Sequence, residues 1–545
     1  MENSEKKERF DYLFIGTGNS ALVAAALLTN AGKRVLMLEA HDIPGGYAQS
    51  FAWGDYFFCG QVHYIWGCGP EGKIYKFLQK IGLEKDITFE LYDPDKYDVM
   101  AMPDGKKVGI PYGWDRLAKQ IDEAYPGQGK NVKKFTNILD KIRGEVALSP
   151  ERKMKWWELV LMAPKFLNLI KYRNKTVQDV FDECELSIEA ETVLSANAGD
   201  FMLPPNELSI FAYAGLFAGY NGGAYYPTKH YKYYVDRLTQ FIEEHRGSRI
   251  LYKSEVVGID IEGDRVASVT TKDGRSFSAE KVICNMDPHK AAEIIGLEKF
   301  GGSYRKKLDY RYSQSGVMIY LGLKDIDLTK FGFGKNNVWH CEDFGMNKMW
   351  DRQKKGDFSK PWIFISTPTL HTKEGGTCPP GHSIMEIASY AEFDEFAEKK
   401  KSSYEDYEKR KNEIAEKMLD IVEKRYIPDL RKYIDVKVVG TPISNEHWAR
   451  APRGNAYGSD MIPSQIGLGR LGMQTPFSNF YFCNATAGYA GIHGTTGNGI
   501  SLYEMLTGDK VFDQTKAPTD NELAETAYKK AKQDLDARRP SLVRG

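Results

Sequence analysis

The sequence predicts an α/β fold: a parallel sheet carrying a nucleotide site, assembled from discontinuous segments, beside an α+β substrate domain. Three observations predict it. The run from Asp11 to Gly46, DYLFIGTGNSALVAAALLTNAGKRVLMLEAHDIPGG, alternates strand, glycine turn, helix and strand. Strand-and-turn pattern returns after 249 and closes on the apolar strand Val282 to Cys284, suited to a parallel position buried on both faces. A glycine-rich segment at 441–510 holds one more buried strand, Asn479 to Cys483, then a glycine turn and a closing helix. The boundaries follow as 1–85, 231–300 and 436–512 for the nucleotide domain, 86–230 and 301–435 for the substrate domain, and 513–545 for a charged tail.

The opening run reads as a strand from Tyr12 to Ile15, a turn at Gly16 and Gly18, a helix from Asn19 to Ala31, and a strand from Arg34 to Leu38. Gly16 permits the tight turn, Gly18 lets backbone approach a pyrophosphate, and Ala21 lets the helix pack closely on the strand. Asn19 and Ser20 open the helix, where N–H groups without intrahelical partners face the phosphates with the dipole behind them. Glu39, with Ala40 beside it, falls about 20 residues on, where a carboxylate accepts hydrogen bonds from ribose hydroxyls and repels a 2′-phosphate. The alternative is a purely structural βαβ unit. Pro44-Gly45-Gly46 directly after the second strand resembles the opening of FAD-containing oxidoreductases of the glutathione-reductase and amine-oxidase type. That resemblance implies a Rossmann-like domain holding FAD rather than NAD, with the extra glycines close to the diphosphate or ring.

Composition bounds the rest. A chain of 545 residues with 42% hydrophobic content can bury two large cores. Lys+Arg and Asp+Glu are both 74, so no net field favours nucleic acid. The seven cysteines are scattered and form no CxxC pair, which argues against a disulfide framework or zinc site and for a reducing, cytoplasmic setting. The N-terminus MENSEKKERF has no apolar signal region, and no stretch reaches the ~18 apolar residues of a membrane span.

After the nucleotide unit, FAWGDYFFCGQVHYIWGCG (51–69) interleaves aromatics, glycines and His63. Amphipathic helices are predicted at Lys73 to Ile81, Gly113 to Tyr125 and Val132 to Arg143, with short strands around Ile87 to Met102. Residues 151–175 place two Trp and an apolar face between basic ends, with Pro164 interrupting. They read either as an interfacial helix giving peripheral membrane contact or as a cap over the substrate domain. Residues 201–226 read as an apolar, aromatic helix, either core or the wall of a hydrophobic channel. A helix at Tyr231 to Arg246 leads into strands with turns at Glu262-Gly263-Asp264 and Lys272-Asp273-Gly274. Residues 300–435 are strand-rich, then helical from Tyr404 to Tyr426, and the tail from Thr515 reads as partly helical and peripheral.

Taken together, GQVHYIWG, AYPGQGKNVKKF, YYPTKHYKYYVDRL, SEVVGI, CNMDP, APRGNAYG and NFYFCNATAGYAGIHGTTGNGISLYEML extend the resemblance over the whole length. The chain resembles the phytoene desaturase, carotenoid isomerase and retinol saturase group of FAD-dependent oxidoreductases. The resemblance implies that Gly16, Gly18 and Glu39 hold the ADP half of FAD, with Gly45 and Gly46 along the diphosphate. It implies Val256 on the adenine through its backbone, and Asn285 and Asp287 lining the approach. Gly488, Gly491, Gly494, Gly497 and Asn498 would surround the flavin end, with a helix beginning near Gly499 aiming its dipole at the reduced ring. Departures from the group's pattern fall at Thr228, Lys229 and His230, at Asn484-Ala485-Thr486, and at Tyr489, Ile492 and His493. These put reaction and substrate in question.

Three side chains are candidates for chemistry: His493 between flavin-facing glycines, and His63 and Tyr64 on the segment expected to cover the flavin's other face. The competing readings are a His bonded to its turn and ordinary core. Glu446 and Arg450 read as a surface ion pair, and Lys229 and His230 as a solvated helix start. The function expected is an FAD-dependent oxidoreductase acting on carbon–carbon bonds of a long apolar polyene or isoprenoid-like lipid, by desaturation, saturation or isomerisation. The alternatives are a flavin amine oxidase or dehydrogenase of a smaller polar substrate and a non-catalytic FAD-binding lipid escort.

Overall fold

The structure is a computed structural model and describes residues 10–148, 161, 163–245, 247–372, 374, 376–512 and 518–538. Its first sheet has five parallel strands in the order Arg249–Leu251, Val35–Leu38, Phe10–Ile15, Ala279–Cys284 and Phe480–Phe482. These strands are short and mostly apolar because both faces of the sheet are covered, one by helix Asn19–Asn30 and its neighbours, the other by an antiparallel layer at 256–277 with helix Pro288–Ile295. Register sets Ile15 beside Leu38 and Cys284, and Cys284 beside Phe482. Gly16, Glu39, Asn285 and Cys483 therefore leave the sheet along one edge, from four distant parts of the chain.

Helix Asn19–Asn30 is buried nearly all round, as its uninterrupted apolar sequence requires. It packs against helix Gly491–Thr507, whose Gly499 permits the approach: a Cβ there would lie 2.7 Å from Ser20 O and from Val23 Cβ. The antiparallel strands Val256–Glu262, Arg265–Thr271 and Ser276–Phe277 turn where the sequence placed the turns. Val256 sends its side chain into the core with Leu13, Leu38 and Val269.

The second sheet has seven strands, in the order Ile434–Gly440, Ser315–Leu323, Ser383–Ala391, Trp362–Ser366, Asn337–Cys341, Asp98–Ala101 and Lys107–Ile110. Alternation divides its residues between two cores. Val317, Ile319, Leu321, Met385 and Ile387 meet Ile414, Met418 and Val422 of helix Tyr404–Arg425. Met318, Tyr320, Trp339, Phe364, Ile384 and Ala388 face the opposite way, toward the core that includes the nucleotide half.

Three predicted elements differ. The apolar helix over 201–226 is confined to Ile210–Asn221, since Pro204-Pro205 and Gly222-Gly223 bound it; Ala224–Pro227 is instead a strand between Ile65–Trp66 and Phe89–Leu91. The closing helix begins at Gly491, not near Gly499, because its glycines serve close packing rather than a turn. The tail helix Asp520–Arg538 docks rather than trails: Ala524, Ala527 and Ala531 are buried, and Asp520 meets Arg143 at 3.1 Å. Of segment 151–175, residues 151–160 and 162 lie outside the described residues. All seven cysteines are free, and no helix among the described residues is long and apolar enough to cross a membrane.

Candidate active site

At the sheet edge, two glycine turns touch. Gly18 pairs with Gly45 in an isolated parallel bridge, Gly45 N–H donates to Thr17 O (3.1 Å), and a Cβ on Gly46 would lie 3.3 Å from Gly18 Cα. Glu39 closes the far side. Its carboxylate accepts from the Thr17 N–H (2.9 Å), the Thr17 hydroxyl and the His41 N–H (2.8 Å). A carboxylate offers about four lone-pair directions, so one remains for an incoming hydroxyl. Ala40 carries the chain from Glu39 to His41.

Asn285 lies partly exposed beside the Gly18 turn. Its amide works inward: Oδ1 accepts the Gly18 N–H (2.9 Å), while Nδ2 donates to Ser20 Oγ (3.0 Å) and to Cys483 O. Ser20 Oγ also donates to Cys483 O (2.8 Å). Asn19 donates to Ile492 O (3.2 Å) and to the Thr495 and Thr496 hydroxyls (2.9 and 3.1 Å), and accepts from Tyr234 OH (2.9 Å). Asn19, Ser20 and Asn285 thus tie segments some 200 to 470 residues apart into one site. The cost is one anion-binding donor, since the Gly18 N–H is already bonded. Asp287 caps helix Pro288–Ile295 and accepts from Tyr312 OH (2.8 Å).

The far glycine segment is also tightly tied. Asn498 accepts the Tyr489 N–H (3.0 Å) and donates to Asn484 O (3.0 Å) and Tyr489 O (2.8 Å), and a Cβ on Gly488 would collide with its amide at 2.2 Å. Gly494 abuts Tyr489 and Gly497 abuts Lys73. The helix terminus that exposes N–H groups is therefore Gly491 to His493. Arg470, which no sequence pattern marked, is buried among backbone carbonyls, donating to Ala485 O (2.8 Å) and Gly488 O; desolvation drives it down to about 10.

The three candidates for chemistry separate. His493 stacks on Trp66 (4.6 Å between centroids), and burial together with the Lys73 and Arg143 charges keeps it neutral. His63 and Tyr64, consecutive in sequence, each reach a carboxylate on the second sheet. His63 Nδ1 lies 2.9 Å from Glu386 Oε2. Tyr64 OH lies 3.1 Å from Asp98 Oδ2 and 2.9 Å from Asp200 Oδ2, and accepts from Asn197 Nδ2 (3.0 Å). One hydroxyl proton cannot serve two carboxylates at once, so they compete for it, while Asp98 also accepts from Asn197 Nδ2 and Asn337 Nδ2 (both 3.3 Å). Burial pushes Asp98 up to about 7, and burial with the Asp98 charge pushes Asp200 up to about 8.

Other expectations fail. Glu446 and Arg450 form no pair: Glu446 accepts the Arg453 N–H (3.0 Å), and Arg450 sits 3.9 Å from Glu255. Lys229 is half-buried beside Asp86, over the Tyr233 ring, and His230 is buried, where desolvation lowers it to about 4.

A family model described as flavin containing amine oxidoreductase matches residues 22–501. The chain belongs to the flavin-containing amine oxidoreductases. It is similar to the all-trans-retinol 13,14-reductase of Danio rerio, 23% identical over 523 residues, with 88% of this chain and 82% of that one covered. It is also similar to prolycopene isomerase 2, chloroplastic, of an Oncidium hybrid cultivar, 24% identical over 531 residues, with 94% and 86% covered. Among solved structures, putrescine oxidase bound to putrescine matches with a TM-score of 0.63 at 13% identity, covering 92% of this chain and 99% of that one; this likeness shows the fold.

As a flavin-containing oxidoreductase the enzyme depends on FAD, and the residues present fit it. Touching glycines at 18, 45 and 46 leave the turns without side chains, the helix start at Asn19 and Ser20 offers N–H groups, and Glu39 is a pre-oriented carboxylate with no cationic partner among the described residues. Bound FAD supplies two-electron hydride transfer; the chain binds, orients and manages the proton. Sequence reasoning missed Asp98, Asp200, Glu386, Asn197 and Arg470. Asp98 and Glu386 did carry a signal: each is a lone carboxylate at a core-facing position of an otherwise apolar strand, DVMA and SIMEIASYA.

Proposed function

We propose that the enzyme acts on carbon–carbon bonds of a long apolar polyene or isoprenoid-like lipid. The observation that carries this is the inner face of the seven-stranded sheet: Met318, Tyr320, Phe364, Ile384 and Ala388 make an apolar and aromatic wall. Both carboxylates on that face, Asp98 and Glu386, are fully buried and engaged by Tyr64 and His63, so neither is presented to a cationic amine. A lipid chain accommodated against this layer would be held by burial, at about 25 cal/mol per Å² of apolar area. The names of the two curated relatives, a retinol reductase and a prolycopene isomerase, support the same class.

Anaerobic mixing of the oxidised and the reduced holoenzyme with all-trans-retinol and with prolycopene tests this, reading the flavin band near ~450 nm together with product mass. Bleaching, reoxidation, or isomer conversion without net flavin change identifies desaturation, saturation or isomerisation. Bleaching by putrescine or benzylamine and by neither polyene overturns the reading. Peripheral membrane contact is a second proposal, supported by Leu161, Leu167 and Ile170, which are 70%, 64% and 53% exposed near Lys165 and Lys171. Failure to float with anionic liposomes at low salt would remove it.

A further inference from the structure

Glu386 occupies an unusual position. It lies mid-strand in Ser383–Ala391, in the row Ile384, Glu386, Ala388 that faces the inner core, and it is 0% exposed. Burying a carboxylate costs several kcal/mol unless donors surround it. Here one oxygen meets His63, and Oε1 is buried without a hydrogen-bond partner among the described residues. The other ionisable groups around it bring no positive charge. Tyr92, Tyr226, Tyr320 and Cys59 face it, and burial raises all four so that they stay neutral. On the His63 side, His371 is lowered to about 3 by burial and is neutral as well. A carboxylate held at this cost to position one imidazole points to a function for the imidazole.

Geometry favours His63 over the other candidates. The Tyr64 hydroxyl is committed to Asp98, Asp200 and Asn197. His493 is wedged between Trp66 and Gly67 with no carboxylate partner among the described residues. The His63 ring lies against Phe364 on the apolar wall (5.1 Å), keeps 12% of its side chain exposed, and has no bond to Nε2 among the described residues. With Nδ1–H donated to Glu386, Nε2 presents a lone pair when the ring is neutral and a proton when it is charged.

We propose that His63 is the acid–base group that moves the proton accompanying hydride transfer, and that Glu386 is the residue that positions it. This rests on the carbon–carbon reading above. When a C=C bond is made, one carbon loses a hydride, with its two electrons, to the oxidised flavin. The neighbouring carbon loses H⁺ to His63 Nε2, and the electron pair of that broken C–H bond becomes the new π bond. In saturation the same atoms move in reverse, hydride from reduced flavin to one carbon and H⁺ from Nε2 to the other.

The test uses the holoenzyme, with H63Q, E386Q and the conservative E386D, each checked for FAD content. The rate of anaerobic flavin reduction or reoxidation by all-trans-retinol and prolycopene is followed from pH 5 to 9. H63Q should lose about 10²-fold or more in rate and lose the pH limb. E386Q should keep KM, slow about tenfold and move the limb to lower pH, and E386D should restore most of both. A second readout does not need turnover: ¹⁵N-histidine NMR should show His63 as the Nδ1–H tautomer in the wild type, with that preference lost in E386Q. Wild-type rate and pH profile in H63Q, with polyene still changing the flavin, overturn the proposal alone. If neither polyene changes the flavin and neither is converted, the substrate reading falls first. The NMR arm then still decides the pair, and a wild-type His63 protonated at Nε2 overturns it.

Discussion

Asn285→Ala is the sharpest test of how the nucleotide site is assembled. The side chain makes three bonds: from the Gly18 N–H (2.9 Å), to Ser20 Oγ (3.0 Å) and to Cys483 O. Cys483 O keeps a second donor in Ser20, and the Asn285 backbone still donates to Ile15 O (2.9 Å), so the strand itself is not lost. At about 1 kcal/mol net per bond, the substitution should cost about 3 kcal/mol. For a melting unit of roughly 200 residues that lowers Tm by about 6–12 °C. Urea unfolding of the apoenzyme, followed by tryptophan fluorescence, measures it. Asn285→Asp separates assembly from binding: its carboxylate can still accept the Gly18 N–H, yet it sets a negative charge beside the diphosphate. It should weaken FAD more than it weakens the fold. An Asn285→Ala variant within about 0.5 kcal/mol of wild type would refute the stitching argument, since that falls below the value of one bond.

Three further substitutions probe the rest of the site. Glu39→Ala, which removes a carboxylate held by Thr17 and His41, should weaken FAD by about 10–100-fold, the worth of a charged hydrogen bond; an unchanged Kd by titration counts against the ribose role. Arg470→Met orphans the carbonyls of Ala485 and Gly488 and should loosen the flavin end, so that bound-flavin fluorescence rises while the ADP half keeps the cofactor in place; unaltered fluorescence and Tm would show that the clamp is idle. The Asp98 and Asp200 carboxyls are raised to about 7 and about 8, so the native state binds protons more tightly than the unfolded chain. Their contribution to stability is therefore fully present below about pH 4 and is lost as pH climbs through 7 and 8. For Asp98 the rise from 3.8 to about 7 is worth about 4 kcal/mol at most. Asp98→Asn should flatten that part of the stability profile, and identical slopes in wild type and variant would contradict the shared-proton cluster.

The nucleotide end was legible because its physics is local. Gly16, Gly18, Asn19 and Glu39 lie within one βαβ unit, where spacing alone sets which groups converge. Parallel strands at 282–284 and 480–482 were legible too, since burial on both faces writes a continuous apolar run. The flavin end was harder. Gly494 and Gly497 read as a turn ahead of a helix beginning near Gly499, but all three are helical glycines that let Tyr489, Lys73 and the first helix approach. A glycine's sequence context does not say whether its missing Cβ serves φ freedom or contact. The bonds of Asn285 to Gly18, Ser20 and Cys483 were not legible, because only the sheet register shows that Asn285 emerges beside Gly18 and Cys483.

The chemistry proposed for the second sheet answers a constraint that an apolar substrate would impose. A polyene brings no charge and no hydrogen bond of its own, so any proton that accompanies hydride transfer must be handled by the wall that binds it. A charged group exposed on such a wall would weaken lipid binding, and an isolated buried one would be too costly to keep. Placing the carboxylates beneath the surface, with a histidine and a tyrosine lying over them, meets both conditions: His63 over Glu386, and Tyr64 over Asp98. The consecutive positions of His63 and Tyr64 make this cheap in sequence, because one short segment, crossing the sheet between Cys59 and Ile65, reaches both carboxylates. The dipeptide was visible in the sequence; its partners, in strands that begin 35 and more than 300 residues later, were visible only as two acids in apolar strands where acids do not belong.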